Sequence, residues 1–212
     1  ASGTVYSVPS LSEAFTWCGP VALPFYEGFE SMDDTFRCWL PMRNTTESGG
    51  LNGGGLDYDA SYSHSWRVNL AAAQGNGAVF IRSGSRSARV IPGVSGFRWL
   101  VSRPLVIPAS GNIDLRFWKD FETSPGNTTR FHIVVNDGDN WSVLQSFVSS
   151  GLPPNFFQEE VVLSLNAYRG ETIRIAFVYE ENGGFEVAID DIRVARTAAT
   201  VAAGLWSNPA TW

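Results

Sequence analysis

The chain has 212 residues, a net charge of −6, and a composition that is 44% hydrophobic and 13% aromatic but only 17% charged. Such a chain is too apolar to stay disordered and long enough to bury a sizeable core. Lys119 is its single lysine and no basic run interleaves with aromatics, which excludes nucleic-acid binding and docking on anionic membranes.

In chain order, the sequence opens on Ala1-Ser2-Gly3, without an initiator Met and without the charged and apolar regions of a signal peptide. It therefore reads as a processed or excised piece of a longer protein, with residues 1–20 as an N-terminal arm. No window carries a helical stripe. Period-two alternation broken by Gly, Pro, Asn and Asp clusters predicts an all-β sandwich or barrel. The region Asn44–Ser65 is rich in Gly, Ser and Asn and is expected to be a long loop. Strands are then predicted at Ala78–Arg82, Trp99–Ile107, Ile113–Phe121, Phe131–Val135, Ser142–Ser146, Glu160–Leu165, Ile173–Tyr179 and Phe185–Ile189. Turns are expected at Asn136–Asn140, Asn166–Gly170 and Glu181–Gly184. Residues 196–212 read as a small-residue linker ending in Trp206 and Trp212, the start of a following module. No stretch approaches the ~18 apolar residues of a membrane-spanning helix, so no membrane insertion is expected.

Several landmarks occur in one order. Cys18 precedes Leu23-Pro24-Phe25-Tyr26-Glu27-Gly28-Phe29-Glu30, and Cys38-Trp39 follows. Trp66 comes after the glycine-rich loop, and Trp99–Leu105 precedes Leu115-Arg116-Phe117-Trp118. Leu165–Gly170 leads into Ile173–Phe177, and the run closes with Ile189-Asp190-Asp191-Ile192-Arg193-Val194. This set resembles the cleaved-adhesin and choice-of-anchor-J domains of secreted Bacteroidetes proteins, which are similar in architecture to MAM domains. The resemblance implies a jelly-roll β-sandwich of two antiparallel sheets over residues 21–195, extracellular or cell-surface, without catalysis of its own and with bound Ca²⁺.

The resemblance maps a calcium site onto Glu30 and the Asp190-Asp191 strand. On a regular strand Ala188, Asp190, Ile192 and Val194 share one face, which sets Asp190 beside apolar neighbours and Asp191 across from them. A buried carboxylate needs a partner, and calcium is a hard cation served by carboxylates and carbonyls. The alternative is a bulged strand with two exposed aspartates. A multi-histidine metal site is excluded, since only His64 and His132 are present. The resemblance also brings Cys18 and Cys38 together as a disulfide near the first strand, against two free buried thiols.

On the Asn44–Ser65 loop, Asp57, Tyr58, Asp59 and Tyr62 are candidate ligand-binding residues, because aromatics and carboxylates on a loop suit a sugar or protein contact; Trp66 is expected in the core. Asp137-Gly138-Asp139-Asn140 lacks the spacing of an EF-hand and reads as a hairpin turn. The pairs Glu159-Glu160 and Glu180-Glu181 read as solvated loop charges rather than an acid/base couple, since strand neighbours point to opposite faces. The glycosylation sequons at Asn44, Asn127 and Asn140 read as chance matches. These readings predict a non-catalytic extracellular adhesion or ligand-binding module with a structural calcium. Its partner would be an extracellular protein, a carbohydrate or a neighbouring domain of the same polypeptide. The alternative is a carbohydrate-binding accessory domain of a secreted hydrolase, with Tyr58, Tyr62 or Trp141 as exposed aromatics.

Overall fold

The computed structural model describes residues 18–30, 36, 38–44, 47–59, 64–70, 80–90, 93, 95–121, 129–148, 160–182 and 186–197. Among them are fourteen strands: β1 (Val21–Ala22), β2 (Phe25–Glu27), β3 (Trp39–Asn44), β4 (Leu56–Tyr58), β5 (Trp66–Leu70), β6 (Arg86–Val90), β7 (Gly96–Ser102), β8 (Leu105–Val106), β9 (Asn112–Phe121), β10 (Arg130–Asn136), β11 (Trp141–Val148), β12 (Glu160–Ser164), β13 (Thr172–Glu181) and β14 (Val187–Thr197). They form an eight-stranded sheet, β1-β8-β13-β7-β3-β4 with β10 and β11 joined through β13, and a six-stranded sheet, β12-β9-β14-β6-β5 with β2 on β14. The pairing is antiparallel except between β1 and β8. This is the expected jelly-roll β-sandwich.

Period-two alternation places the core. In β9, Ile113, Leu115 and Phe117 are fully buried while Asp114, Arg116 and Trp118 between them are half-buried. Between the sheets Phe131 stacks on Phe177 at 6.2 Å and on Phe147 at 6.0 Å, with Phe117 edge-on to Phe177 at 5.1 Å. Each such side chain stabilises the fold by about 1.5–3 kcal/mol relative to an exposed one.

The eight-stranded sheet is buried on its outer face too. There Met42, Trp99, Val101, Val134, Ala176 and Val178 form a second cluster covered by Leu51, Leu56 and Trp141. A sheet covered on both faces reads as unbroken apolar runs, which is why Trp99-Leu100-Val101 and Ile175–Tyr179 are uninterrupted. The covering segment belongs to the expected long loop, part of which forms regular structure. Residues 47–52 form 3₁₀ turns and β4 adds to the sheet, Met42 opposite Tyr58. Asn44 ties the segment down, donating to Gly50 O at 3.2 Å and Gly54 O at 3.1 Å while accepting from Trp99 Nε1 at 2.6 Å.

Two further expectations need correction. The predicted strand Trp99–Ile107 is two strands, because the chain leaves β7 at Arg103-Pro104, where proline offers no N–H to a ladder. Of the predicted strand Ala78–Arg82, residues 80–82 are not a strand, Phe80 lying in a turn and Arg82 in a bend, and 78–79 lie outside the described residues. Cys18 and Cys38 are joined in a disulfide with Cα atoms 5.4 Å apart. A closed loop of this size stabilises by about 3 kcal/mol.

Candidate functional site

Strand β14 departs from regularity at Asp190-Asp191. The register on β9 slips between Asp190 and Arg193, and Asp191 has φ 49°. The extra residue makes this a β-bulge. Its effect overturns the regular-strand expectation: Val187 and Ile189 before the bulge and Ile192 and Val194 after it all enter the same core. Asp190 is turned away from that core, opposite Trp118, and is completely buried. Nor are both aspartates exposed, the alternative considered for a bulged strand.

What buries Asp190 is the turn between Phe80 and β6. Asp190 Oδ2 accepts from the amides of Arg82 at 2.9 Å and Ser83 at 3.2 Å, and Oδ1 accepts from the Asp191 amide at 2.8 Å. Asp191 Oδ1 accepts from Ser83 Oγ at 2.7 Å and from the Tyr26 hydroxyl at 2.6 Å. Glu30 grips the same turn two residues on, accepting from the Ser85 amide at 2.9 and 3.0 Å, Ser85 Oγ at 2.8 Å and the Arg86 amide at 2.9 Å. Gly84 has φ +64°, and a Cβ there would collide with the Glu30 carboxyl. Glu30 is aimed by a local device. The Glu27 carboxylate accepts the Phe29 amide at 2.7 Å, and Phe29, at φ 61°, turns the chain toward the loop.

The structure thus brings Glu30, three residues beyond β2, onto one turn with Asp190 and Asp191 of β14. None of the three is in an ion pair with a described residue. Burial is the main cause that pushes the Asp190 carboxyl up to about 7, partly opposed by the loop amides. The hydrogen bond to Asp191 pushes the Tyr26 phenol up to about 12. The three carboxylates do not meet at one point: Glu30 holds the Ser85 side of Gly84 and the aspartates the Ser83 side. Among the described residues no three His, Cys, Asp or Glu side chains are grouped closely enough to hold a metal by themselves.

The candidate ligand residues separate. Tyr58 is 44% exposed, Asp57 is half-buried beside it in β4, and Tyr62 lies outside the described residues. Asp59 is buried, 3.7 Å from the Arg98 guanidinium, and so is removed from any surface site. Trp66 is core, as expected, with Nε1 donating to Arg98 O at 3.0 Å. Trp141 is not a free aromatic platform. It is half-buried, edge-on to Trp99 at 5.1 Å, and closes against Gly53. Asp137–Asn140 is the expected hairpin turn, Asp137 Oδ1 accepting from the amides of Asp139 and Asn140.

The glutamate pairs also need correction. Glu180 and Glu181 lie in β13, Glu181 is buried, and Glu180 bonds His132 Nε2 at 2.9 Å. His132 Nδ1 meets Ser146 Oγ at 2.7 Å, and burial holds its pKa below the usual histidine value. Glu160 is on a strand and pairs with Arg116 at 3.3 Å, while Glu159 lies outside the described residues.

No family model and no curated protein sequence matches the chain. Solved structures share its fold. The K1 cleaved adhesin domain of Lys-gingipain from Porphyromonas gingivalis W83 superposes with a TM-score of 0.56 at 13% identity, over 82% of this chain and 99% of that one. The K2 cleaved adhesin domain of Lys-gingipain gives 0.55 at 12% identity, over 82% and 98%. The TmCBM61 module, solved with β-1,4-galactotriose, gives 0.51 at 18% identity, over 80% and 94%. At these identities the likeness establishes the sandwich and its connectivity.

Sequence reasoning missed the partners that complete the site: Tyr26, Ser83, Gly84 and Ser85. One signal was available. Val187-Ala188-Ile189 and Ile192-Arg193-Val194 each alternate, but out of phase, so two acidic residues between them require a bulge if both apolar pairs are to face one core.

Proposed function

We propose that the chain is a non-catalytic, extracellular binding module of a larger protein, stabilised by a calcium ion held at Glu30, Asp190 and Asp191. The observation that carries this reading is that all three carboxylates bind the Arg82–Arg86 turn without an ion-pair partner among the described residues, the adjacent aspartates on the Ser83 side of Gly84 and Glu30 on the Ser85 side, so that Asp190 and Asp191 would hold the ion with oxygens of the turn and Glu30 would complete the site. Their chemistry fits the ion: hard oxygens in a site with no thiolate or imidazole, the donor set that suits calcium rather than zinc. Calcium would supply the positive charge that a buried aspartate lacks, and Ser83, Ser85 and the carbonyls of the turn are further oxygens within the same segment. The disulfide agrees with an oxidising compartment. The likeness to cleaved adhesin domains and to a galactotriose-binding module supports a binding role.

The test is thermal unfolding with calcium and with excess EGTA, on the wild type and on Asp190→Ala. Calcium at about 100 times its Kd would stabilise the native state by about 2.7 kcal/mol, a rise in Tm of several degrees for a chain of this size, lost in the variant. An unchanged Tm in protein shown to be metal-free removes calcium from the proposal. Carbohydrate is the favoured ligand class, because the surface that remains open carries an exposed tyrosine on a rigid strand: Tyr26 is 62% exposed and its hydroxyl is fixed by Asp191.

A further inference from the structure

An exposed sheet edge is a template for pairing, and natural chains blunt it with charge, proline or shortness. Edge strands β12, β5, β4 and β2 follow that rule. They carry Glu160, Arg67, Asp57 and Glu27, and none is longer than 5 residues. Strand β11 does not follow it. Among the described residues it bonds to β10 alone, and its 8 residues, Trp141–Val148, include neither a charge nor a proline. Val143 is 48% exposed and Val148 56%, with Ser142, Gln145 and Ser146 exposed beside them.

The register on β10 decides which way each side chain of β11 faces. Val143 lies opposite Val134, and Ser146 opposite His132, which is itself opposite Val178. Val134 and Val178 belong to the outer cluster, and Trp141 packs on it. Val148, two residues beyond Ser146, shares that outer face. Ser142 lies opposite Val135, Gln145 opposite Ile133 and Phe147 opposite Phe131, all three partners in the core between the sheets, and Leu144 packs on that core too. Leu144 is an extra residue, because the register slips between Ile133 and Val134. It makes a second β-bulge.

The bulge gives β11 a palindrome of faces. Trp141, Val143, Ser146 and Val148 face out, and Ser142, Leu144, Gln145 and Phe147 face in. The order is the same read from either end.

That order decides what can lie along the edge. A regular extended peptide changes face at every residue. It keeps step with one half of β11, and beyond the bulge its side chains fall on the wrong faces. A second β11, antiparallel and related by a two-fold axis between Leu144 and Gln145, keeps step throughout. Trp141 then lies opposite Val148 of the other copy, Ser142 opposite Phe147, Val143 opposite Ser146 and Leu144 opposite Gln145. Every other antiparallel register, short end overlaps aside, sets an outward residue against an inward one.

Charge follows the same symmetry. Asp137 and Asp139 lie in the turn that leads into Trp141, while exposed Arg130 is opposite Val148 at the far end. Antiparallel pairing brings the acidic turn of each copy toward the Arg130 end of the other. Parallel pairing would set two acidic turns side by side, a like-charge cost.

We propose that β11 is a docking edge for a second copy of this chain, the two pairing antiparallel about an axis between Leu144 and Gln145 and joining their eight-stranded sheets into one. Such an isologous contact closes on itself, so assembly stops at the dimer. Stable interfaces use about 20–30 residues a side, so an edge of 8 residues makes a weak dimer.

The test is sedimentation equilibrium of the full chain from about 10 μM to about 1 mM, the range of weak association. A reversible monomer–dimer equilibrium is expected. Val143→Lys and Val148→Lys, each checked for an unchanged melting curve, should weaken it at least about tenfold, since edge charges oppose pairing. Val143→Thr keeps a β-branched, uncharged side chain and should leave it within about twofold. Cysteine pairing reads the register, and the native disulfide leaves no other thiol. Val143→Cys mixed with Ser146→Cys should form a disulfide between copies, because directly opposed Cβ atoms lie about 4.5–5.5 Å apart. Neither variant alone should cross-link, its own position being offset along the edge. A monomer at the highest concentration overturns the proposal. So does a dimer that neither lysine variant weakens, or cysteines that cross-link alone as readily as mixed. A chain that stays monomeric, but whose β11 amide signals shift with a soluble alternating threonine–valine peptide, overturns it in favour of an extended peptide partner.

Discussion

The Tyr26 hydroxyl donates a 2.6 Å hydrogen bond to Asp191 Oδ1, joining residues 165 positions apart. It ties the first strand of the six-stranded sheet to the bulge in the last one and holds Asp191 at its left-handed φ of 49°. Ser83 Oγ reaches the same oxygen at 2.7 Å, so one carboxylate oxygen coordinates β2, β14 and the turn before β6.

Replacing Tyr26 with Phe keeps the ring and removes this donor. The expected cost is about 1 kcal/mol in urea unfolding at neutral pH. The phenol is pushed up to about 12, chiefly by its bond to Asp191. The stability this linkage gives is complete below the ordinary tyrosine value of about 10 and is lost as pH rises through the folded value. Tyr26→Phe should therefore flatten the alkaline limb of the stability profile, and an unchanged limb would assign that limb to other groups.

Gly84 should tolerate no side chain. At φ +64° an alanine is strained by about 1 kcal/mol or more, and its Cβ would displace the Glu30 carboxyl from Ser85 and Arg86. Gly84→Ala is expected to lose about 2–3 kcal/mol, most of it shared with Glu30→Ala, since charged hydrogen bonds contribute about 1.5–3 kcal/mol. A double-mutant cycle by chemical denaturation checks this; additive losses would mean that the two residues act independently.

Asp190→Asn should destabilise although it removes a buried charge. The carboxylate accepts three backbone amides through its two oxygens, and an asparagine side chain must turn its own donor toward one of them. Leaving a buried donor unsatisfied costs about 1–3 kcal/mol. Amide exchange at Arg82 and Ser83 should quicken in the variant, while exchange in β10 and β13 keeps pace with global stability.

The Cys18–Cys38 disulfide should account for about 3 kcal/mol of stability. Cys18→Ser with Cys38→Ser, compared with the wild type in urea with and without reductant, provides the measurement. The variant should be insensitive to reductant, and the reduced wild type should approach it.

Mild acid should weaken the sandwich through His132. Burial holds its pKa below the usual value, with Glu180 opposing that shift and Arg130 adding to it. The group's stabilising contribution is complete above the unfolded value of about 6.5 and is lost as pH falls through the lower folded value. Between pH 7 and 5 the unfolding midpoint should fall, and His132→Leu should reduce the slope; an identical slope in that variant would place the titrating group elsewhere.

Much of this protein is legible in its residues one strand at a time. Alternation in Ile113–Phe121 identifies a half-buried strand, because side-chain direction has a period of two whatever the rest of the chain does. Composition and the spacing of turns then determine an all-β sandwich. Local chemistry also places the Asp137–Asn140 turn, whose bonds close within four residues.

Tertiary structure alone decided how Asp190 and Asp191 are used. A bulge is invisible to a pattern that assumes regular strands, and its consequence depends on a turn more than a hundred residues away covering the carboxylates. It also decided that Asp59 is spent on Arg98 and that Trp141 closes over Trp99, since burial of a polar or aromatic side chain depends on what packs above it. The pairing of Arg116 with Arg193 has the same origin. Arg116 and Arg193 are far apart in sequence and become neighbours through the β9–β14 register, and register is a property of two strands together rather than of either one.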